Sequence, residues 1–295
     1  AVIDVFIDAA HGAPSRAALI ASLPETISPR IRKRCLDGGV IPLQGQREAL
    51  EALSLAGSVG AAWSGSAGVQ LQRPAPRASS TAIRALGEYE GKAALAEFGV
   101  RIPKGKRVPV DAAATAALEL GFPVVLKATG SHLTHKTEVG GVVLNVRTET
   151  DARNAAERLA KLSDTLLVEE MFTDGVAEVL IGVIVDAQFG QVLVLGAGGV
   201  LTEMLSDSVS LLPPWTHASV DAALERLNIC KLLVGFRGKP AADVAALIDT
   251  ILGVARYAVE NASALVEIDV NPVIVRPAGL GAVAVDTMIR LQQIP

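Results

Sequence analysis

One lysine in the middle of the chain stands where it could neutralise a phosphate group. Lys127 closes the apolar run 124–127, and a polar loop then leads to the glycine pair Gly140-Gly141. Backbone amides of a glycine-rich loop can bind phosphate oxygens, and a lysine on a strand can balance their charge. The Walker A and GxGxxG templates do not match here. By itself, this pattern is therefore also compatible with a polar loop that binds no ligand.

A second group of polar residues alternates along an apolar run near the C-terminus. Glu267, Asp269 and Asn271 are two residues apart and would share one face of an extended strand, while Asp286 ends the next apolar run. If the two runs pair, Asn271 and Asp286 would offer the oxygen ligands that Mg²⁺ takes beside phosphates and water. A solvent-facing edge strand is the alternative interpretation of the same pattern.

Composition narrows the class of protein. The 295 residues are 50% apolar, enough for about two packed domains. The 27 basic and 31 acidic side chains give a formal charge of −4, which argues against nucleic acid as a partner. Cys35 and Cys230 have no metal-like spacing and favour a reducing, cytoplasmic location. The apolar stretch 179–201 is interrupted by Asp186 and two glutamines, which predicts two strands around a turn rather than a membrane span.

The elements that must position these residues fall into three zones. Residues 1–62 predict a small α/β unit with a strand at 2–7 and a helix at 47–55, and residues 63–87, rich in Gly, Ser and Pro, predict a linker. Residues 88–295 predict an α+β domain, because strands that follow each other without a helix pair antiparallel. Its helices are expected at 88–98, 111–120, 217–228 and 240–260, and its strands at 124–127, 139–146, 165–170, 177–185, 191–195, 265–275 and 281–286.

Taken in order, the motifs of residues 88–290 resemble the ATP-grasp domain of ADP-forming acyl-CoA synthetases, relatives of the succinyl-CoA synthetase β chain. The resemblance is carried by Tyr89-Glu90-Gly91-Lys92, His135-Lys136-Thr137-Glu138-Val139-Gly140-Gly141-Val142, Gln188-Phe189-Gly190, Gly196-Ala197-Gly198-Gly199, Gly235-Phe236-Arg237-Gly238 and Glu267-Ile268-Asp269-Val270-Asn271-Pro272. Residues 1–62 resemble the tail of the flavodoxin-like α/β ligase domain that precedes ATP-grasp in fused enzymes. The implied fold is therefore an ATP-grasp domain of two α+β subdomains at 88–295, preceded by that tail and a linker at 63–87.

The resemblance implies a phosphoryl relay in which acid, CoA and ATP give acyl-CoA, ADP and phosphate through phosphohistidine. His135 matches the relay histidine of the ATP-grasp loop, and His132 is its rival. Neutral imidazole is a nucleophile near pH 7, and Lys136 beside it would stabilise the phosphorylated ring. Glu203 is expected at the same cleft.

The remaining implied contacts belong to ATP or ADP and to Mg²⁺. The phosphates would be bound by Lys92, Lys127, Gly140 and Gly141, the adenosine by Glu169 or Glu170, and Mg²⁺ by Asn271, Asp286 and Asp269. Catalysis in such a site would rest on positioning and charge neutralisation.

Two features separate the sequence from the family pattern. Leu211 stands where the family often has an arginine, and neither the CoA-binding domain nor the first phosphohistidine is found in residues 1–295. The resemblance therefore implies a partner domain or subunit that binds CoA and a small carboxylic acid. A nucleotide-sensing regulatory module and a carboxylate–amine ligase remain the alternatives, and the acid, the choice of ATP over GTP and the oligomeric state stay open.

Overall fold

The computed structural model describes residues 2–13, 15–65, 82–130, 140–199, 207–238 and 240–293. The chain separates into two compact units, Ala1–Gln70 and Leu71–Pro295. Within the described ranges, every helix is too short or too polar to cross a bilayer. The predicted division at residues 62 and 87, and the flavodoxin-like character of the first zone, remain predictions.

The first unit contains a two-stranded parallel sheet among helices. Its helices are α1 (Val2–His11), α2 (Pro29–Asp37) and α3 (Gln46–Gly65), with a short 3₁₀ turn at Pro24–Thr26, and its strands are β1 (Ala18–Ala21) and β2 (Ile41–Gln44). Strands β1 and β2 pair in parallel, with Ala18 opposite Ile41.

The strand predicted at residues 2–7 is wrong, because this segment is the helix α1. Ile3, Ile7 and Ala10 recur at helical spacing and pack against Cys35 and Val40. A short apolar run satisfies both the strand and the helix pattern, and here the packing partner decided between them.

The first half of the second unit runs from β3 to β7. Its strands are β3 (Ile83–Leu86), β4 (Gly105–Pro109), β5 (Val124–Ala128), β6 (Val142–Val146) and β7 (Thr165–Glu170). Its helices are α4 (Glu88–Ala96), α5 (Ala113–Leu120), which follows a 3₁₀ turn at Val110–Ala112, and α6 (Glu149–Leu159). Strands β4 to β7 form an antiparallel sheet in the order β4-β7-β5-β6, and α5 and α6 cover it with small apolar side chains.

The second half adds a larger antiparallel sheet. Its strands are β8 (Ala177–Asp186), β9 (Gly190–Ala197), β10 (Ser208–Leu211), β11 (Leu265–Val275), β12 (Ala282–Ala284) and β13 (Met288–Gln292). Its helices are α7 (His217–Glu225), α8 (Cys230–Leu233) and α9 (Val244–Glu260). The sheet order is β10-β9-β8-β11-β13-β3, with β12 paired to β11, and the apolar face of α9 packs into its core.

The predicted α+β class and the antiparallel pairing of 177–185 with 191–195 are confirmed. Two of the predicted strands are shorter in the structure: the strand predicted at 139–146 begins at Val142, and the strand predicted at 281–286 ends at Ala284. Asp286 therefore lies in the connection to β13 rather than in a strand. The helix α4 precedes the four-stranded sheet in sequence but packs on β13 of the larger sheet, so it reaches both halves of the unit.

Candidate functional site

Four charged side chains are buried together where α4 meets the two strands β5 and β7. Glu88 and Lys92 come from α4, Lys127 from β5 and Glu169 from β7, and each is between 1% and 7% exposed. Fully buried charges are rare in proteins unless they are paired, so this group, called the charge cluster below, requires a close network.

The distances within the charge cluster supply that network. Lys92 Nζ lies 2.5 Å from Glu169 Oε1 and 2.8 Å from Glu88 Oε1. Lys127 Nζ lies 2.5 Å from Glu88 Oε1 and 3.0 Å from Glu169 Oε2. Both ammonium groups also donate to the backbone carbonyl of Val285, at 3.0 Å from Lys92 and 2.7 Å from Lys127. Each carboxylate therefore bridges both lysines.

The two lysines differ in their electrostatic surroundings. Burial and the neighbouring Lys127 ammonium lower the pKa of Lys92, against the opposing effect of Glu88 and Glu169. Burial also acts to lower the pKa of Lys127, but Glu88, Glu169 and Asp286 outweigh it and raise the pKa above its usual value. The raised pKa keeps Lys127 charged at neutral pH.

Local structure explains how these side chains meet. Glu88 and Lys92 are four residues apart on α4 and therefore share one face of the helix. Every residue of β5 is buried, so Lys127 cannot turn outward to solvent. Gly91 lets α4 approach the β12–β13 connection, since a Cβ there would stand 3.1 Å from Thr287 Cγ2.

A cavity of about 320 Å³ opens beside the charge cluster. Its walls come from one side of α4, from the segment that leads into β4 with the first residue of that strand, and from one residue of β7. The lining residues are Tyr89, Lys92, Ala93, Ile102, Pro103, Lys104, Gly105 and Glu169. Cavities of this size with an apolar wall and a few convergent charged groups are typical of small-ligand sites.

The second polar group lies in the middle of β11, at a shift in its pairing register with β8, and in the β12–β13 connection. Asn271 N donates to Asp286 O at 3.2 Å, which brings together the two residues that the sequence predicted as neighbours. Asn271 Oδ1 accepts a hydrogen bond from Gly199 N at 3.0 Å, and Asp286 Oδ1 accepts one from Thr287 N at 2.8 Å. Burial, with the charges of Glu267 and Asp286, raises the pKa of Asp269 to about 6.

This arrangement fits a divalent cation held jointly with phosphates. In the described part of the chain, no three His, Cys, Asp or Glu side chains gather as a complete metal site. Mg²⁺ is usually bound by one or two protein oxygens and completes its shell with water and phosphate, which matches the Asn271–Asp286 pair. Burial first, and then the carboxylates of Glu267 and Asp286, raise the pKa of Asp269, and a cation at this corner would offset the charge of those carboxylates.

A tight glycine turn fixes Asn271. A Cβ at Gly198 would stand 2.7 Å from the carbonyl carbon of Val179, and Gly199 has a φ of +62°. Only glycine fits such a close backbone approach, so the turn can pack directly against the backbone of β8. In this position the Gly199 amide donates its hydrogen bond to Asn271 Oδ1.

The other predicted site residues have different surroundings. Glu170 points away from the charge cluster and accepts from Lys104 N at 2.9 Å. Gly140 has a φ of +70°, and Gly141 O accepts from Ala128 N at 2.8 Å, which brings the end of the glycine loop to β5. Leu211 pairs with Leu193 at the sheet edge. His132, His135, Lys136 and Glu203 lie outside the described residues.

Glu88 is the member of the charge cluster that the sequence analysis missed. The signal that could have found it is its spacing of four residues from Lys92, which places both side chains on one face of a helix. Glu267, which alternates with Asp269 and Asn271, instead forms an ion pair with Arg290 at 3.3 Å.

Comparison with known proteins identifies the family of the chain. A family model described as the ATP-grasp domain matches residues 77–291. A trans-feruloyl-CoA synthase from an unknown prokaryotic organism is 37% identical over 216 residues, covering 70% of this chain and 30% of the relative. The β subunit of an ADP-forming acetate–CoA ligase II from Pyrococcus furiosus is 31% identical over 218 residues, covering 70% of this chain and 92% of the relative.

The solved structures include an acetyl-coenzyme A synthetase of Ca. Korarchaeum cryptofilum with coenzyme A and Mg-AMPPCP, whose phosphohistidine segment points towards the nucleotide binding site. It matches with a TM-score of 0.63 and 33% identity, over 70% of this chain and 93% of that one. The chain belongs to the ATP-grasp family, in the branch of the ADP-forming acyl-CoA synthetases. It spans only 30% of the length of the trans-feruloyl-CoA synthase.

Proposed function

We propose that this chain is the nucleotide-binding and phosphoryl-relay part of an ADP-forming acyl-CoA synthetase. The observation that carries the proposal is the buried charge cluster of Glu88, Lys92, Lys127 and Glu169 beside a cavity of about 320 Å³. A nucleotide such as ATP needs fixed cations for its phosphates next to a pocket for its base. ATP-grasp relatives of this chain use nucleotides.

The cavity is the proposed site of the base, and the phosphates extend from it toward Lys127, Lys92 and the Gly140-Gly141 turn. Glu169 lines the cavity, whereas Glu170 is bound to the amide of Lys104. We therefore assign Glu169 rather than Glu170 to the nucleotide. The firmly charged Lys127 would neutralise phosphate oxygens during transfer, as in other phosphoryl-transfer sites.

The cation would be held by Asn271 and Asp286, with Asp269 behind them. These residues would hold Mg²⁺ beside the phosphates, where it would supply charge neutralisation for phosphoryl transfer. Asn271 is held by the Gly199 amide, which keeps its side-chain oxygen oriented in advance.

In the relay step, a ring nitrogen of His135 attacks the γ-phosphorus of ATP with its lone pair. The N–P bond forms while the bond from phosphorus to the ADP oxygen breaks, and that oxygen keeps the electron pair. The reverse step returns the phosphoryl group to ADP. Lys136 would stabilise the phosphorylated ring, and Glu203 would lie at the same cleft.

A CoA-binding domain or subunit is required for the complete reaction of acid, CoA and ATP to acyl-CoA, ADP and phosphate. The Pyrococcus furiosus relative is a β subunit of which this chain covers 92%, which supports a division of the enzyme between two parts. A nucleotide-sensing module is the second candidate function, favoured by Leu211 at the position where the resemblance leads one to expect arginine.

The decisive experiment is intact mass spectrometry of the purified chain after incubation with Mg²⁺ and ATP. We expect the mass of one added phosphoryl group, labile to acid, that is absent in His135→Ala and retained in the matched control His132→Ala. The measurement is repeated with a CoA-binding partner supplied. Nucleotide binding without phosphorylation in both settings would replace the relay by the sensing module, and phosphorylation retained in His135→Ala would move the acceptor elsewhere.

A further inference from the structure

Both lysines of the charge cluster are surrounded by protein acceptors. An ammonium group has three N–H donors. Lys127 Nζ donates to Glu88 Oε1 at 2.5 Å and to Val285 O at 2.7 Å, and it forms an ion pair with Glu169 Oε2 at 3.0 Å. Lys92 Nζ donates to Glu169 Oε1 at 2.5 Å and to Val285 O at 3.0 Å, and it forms an ion pair with Glu88 Oε1 at 2.8 Å. A phosphate that binds Lys127 therefore competes with one of its three protein partners.

The contact distances of Lys127, and the second contact that Glu169 makes with Lys92, indicate which partner a phosphate would replace. The contact of Lys127 with Glu169 Oε2 is the longest of its three, at 3.0 Å. If Glu169 releases Lys127, it still holds Lys92 through its other oxygen at 2.5 Å, so no buried carboxylate is left unpaired. The contacts with Glu88 and Val285 can then persist.

We infer that Glu88 is a positioning residue that anchors the Lys127 ammonium while a phosphate takes the place of Glu169. This inference rests on the proposed function and adds a role for a residue outside the predicted site. Glu88 accepts a hydrogen bond from Lys127 Nζ at 2.5 Å, so it would act on the phosphates through Lys127 rather than by contact.

The position of Glu88 suits an anchor. It lies in the first turn of α4, and the Gly91 amide donates to Gly87 O at 2.8 Å to fix that turn. Because α4 packs on β13 whereas Lys127 belongs to β5, the Glu88–Lys127 contact joins the two sheets at the site. Without Glu88, and with Glu169 displaced by the phosphate, Lys127 would keep only the Val285 carbonyl as a protein partner, beside the repelling Lys92 ammonium.

The test is a double-mutant cycle read by calorimetric binding of Mg²⁺ and the non-hydrolysable ATP analogue AMPPCP. The variants are Glu88→Gln, Lys127→Met and both together, with Glu90→Gln as the matched control. Glu90 is on the same helix, but it is exposed and paired with Arg107. We expect Glu88→Gln to weaken binding about tenfold when Lys127 is present and less than about twofold when it is Met. Glu90→Gln should bind like the wild type.

A conservative variant guards against loss of the fold. Glu88→Asp keeps the charge and should recover most of the affinity; thermal unfolding checks that every variant is folded. If Glu88→Gln does not fold, Glu88→Asp carries the test, with about a threefold loss that disappears in the Lys127→Met background.

Three results would overturn the inference while leaving the proposed function intact: binding within twofold of the wild type, an equal loss in both Lys127 backgrounds, and tighter binding in Glu88→Gln. The last would show that Glu88 competes with phosphate for Lys127. If the wild-type chain does not bind the analogue at all, the proposed function is wrong and the inference is wrong with it.

Discussion

The two units of the chain use opposite charges in different ways. In the second unit, Glu88, Lys92, Lys127 and Glu169 are almost completely buried and each contacts more than one partner. In the first unit, Lys33 and Asp37 form an ion pair at 2.8 Å whose side chains are 77% and 62% exposed. Oppositely charged side chains thus interact differently in the two units. Water screens the exposed Lys33–Asp37 pair, whereas it is excluded from the buried charge cluster.

Stability alone does not explain the buried group. Taking charges out of water costs as much free energy as their attraction returns, and apolar residues of similar volume often serve a fold equally well. The exposed pair costs little and contributes little. A cluster that is costly to bury and lies beside a cavity is therefore a candidate for ligand binding.

The largest effect that separates the two regions should come from Lys92→Met. It leaves Glu88 and Glu169 with Lys127 as their shared cation, so the buried cluster gains a net negative charge. We expect the free energy of unfolding of the second unit to fall by about 3–5 kcal/mol. Trp215, whose indole donates to Leu211 O, reports this unit in a urea titration followed by fluorescence. A loss below about 1 kcal/mol would show that water reaches the cluster.

Lys127→Met should have the next largest effect, on ligand binding rather than on folding. We expect the affinity for Mg²⁺ and AMPPCP to fall about 100-fold, because a charged donor to phosphate is lost. Lys106→Met is the control, since Lys106 lies on the edge strand β4 and pairs with the exposed Glu119. Equal affinities of the two variants would remove Lys127 from the site.

Asp269→Asn tests the acidic corner and gives a pH dependence. The pKa of Asp269 is raised to about 6 from 3.8, so folding favours its neutral form. This contribution to stability is fully present below about pH 4 and is lost as the pH rises through 6. Without divalent cations, Asp269→Asn should therefore be more stable than the wild type by about 1–2 kcal/mol at pH 8, after allowance for partial exposure.

The two proteins should have nearly the same stability at pH 4, where Asp269 is neutral in the folded state and only partly ionised in the unfolded state. Thermal unfolding at the two pH values in the presence of EDTA measures the difference. An unchanged difference between pH 4 and pH 8 would mean that Asp269 titrates in its ordinary range. Added Mg²⁺ should stabilise the wild type at pH 8 more than it stabilises Asp269→Asn.

The smallest effect should come from the exposed pair of the first unit. Asp37→Asn removes the partner of Lys33 on α2, and we expect the free energy of unfolding of that unit to change by less than about 0.5 kcal/mol. Urea unfolding at low and at high salt measures it, with circular dichroism of the helices as the signal. A change of several kcal/mol would show that exposure does not distinguish the two regions.

Much of the second unit was predictable because its signals are local. Short runs rich in apolar residues indicated the strands β7, β8 and β11, and the absence of a helix between neighbouring runs indicated antiparallel pairing. The first unit was less predictable. Val2, Ile3, Val5 and Phe6 satisfy a strand pattern as well as a helical one, and only packing against Cys35 and Val40 selects the helix.

The sequence by itself determined the α+β class, the pairing of Asn271 with Asp286 and the family to which the chain belongs. These depend on residues close in sequence or on motifs kept in order. Only the tertiary structure placed Glu88 between two lysines, because α4 is folded against β13 while Lys127 is 39 residues away on β5. Burial and charge pairing arise where segments that are distant in sequence meet in the folded chain. The spacing of residues along the sequence does not specify which distant side chains come into contact.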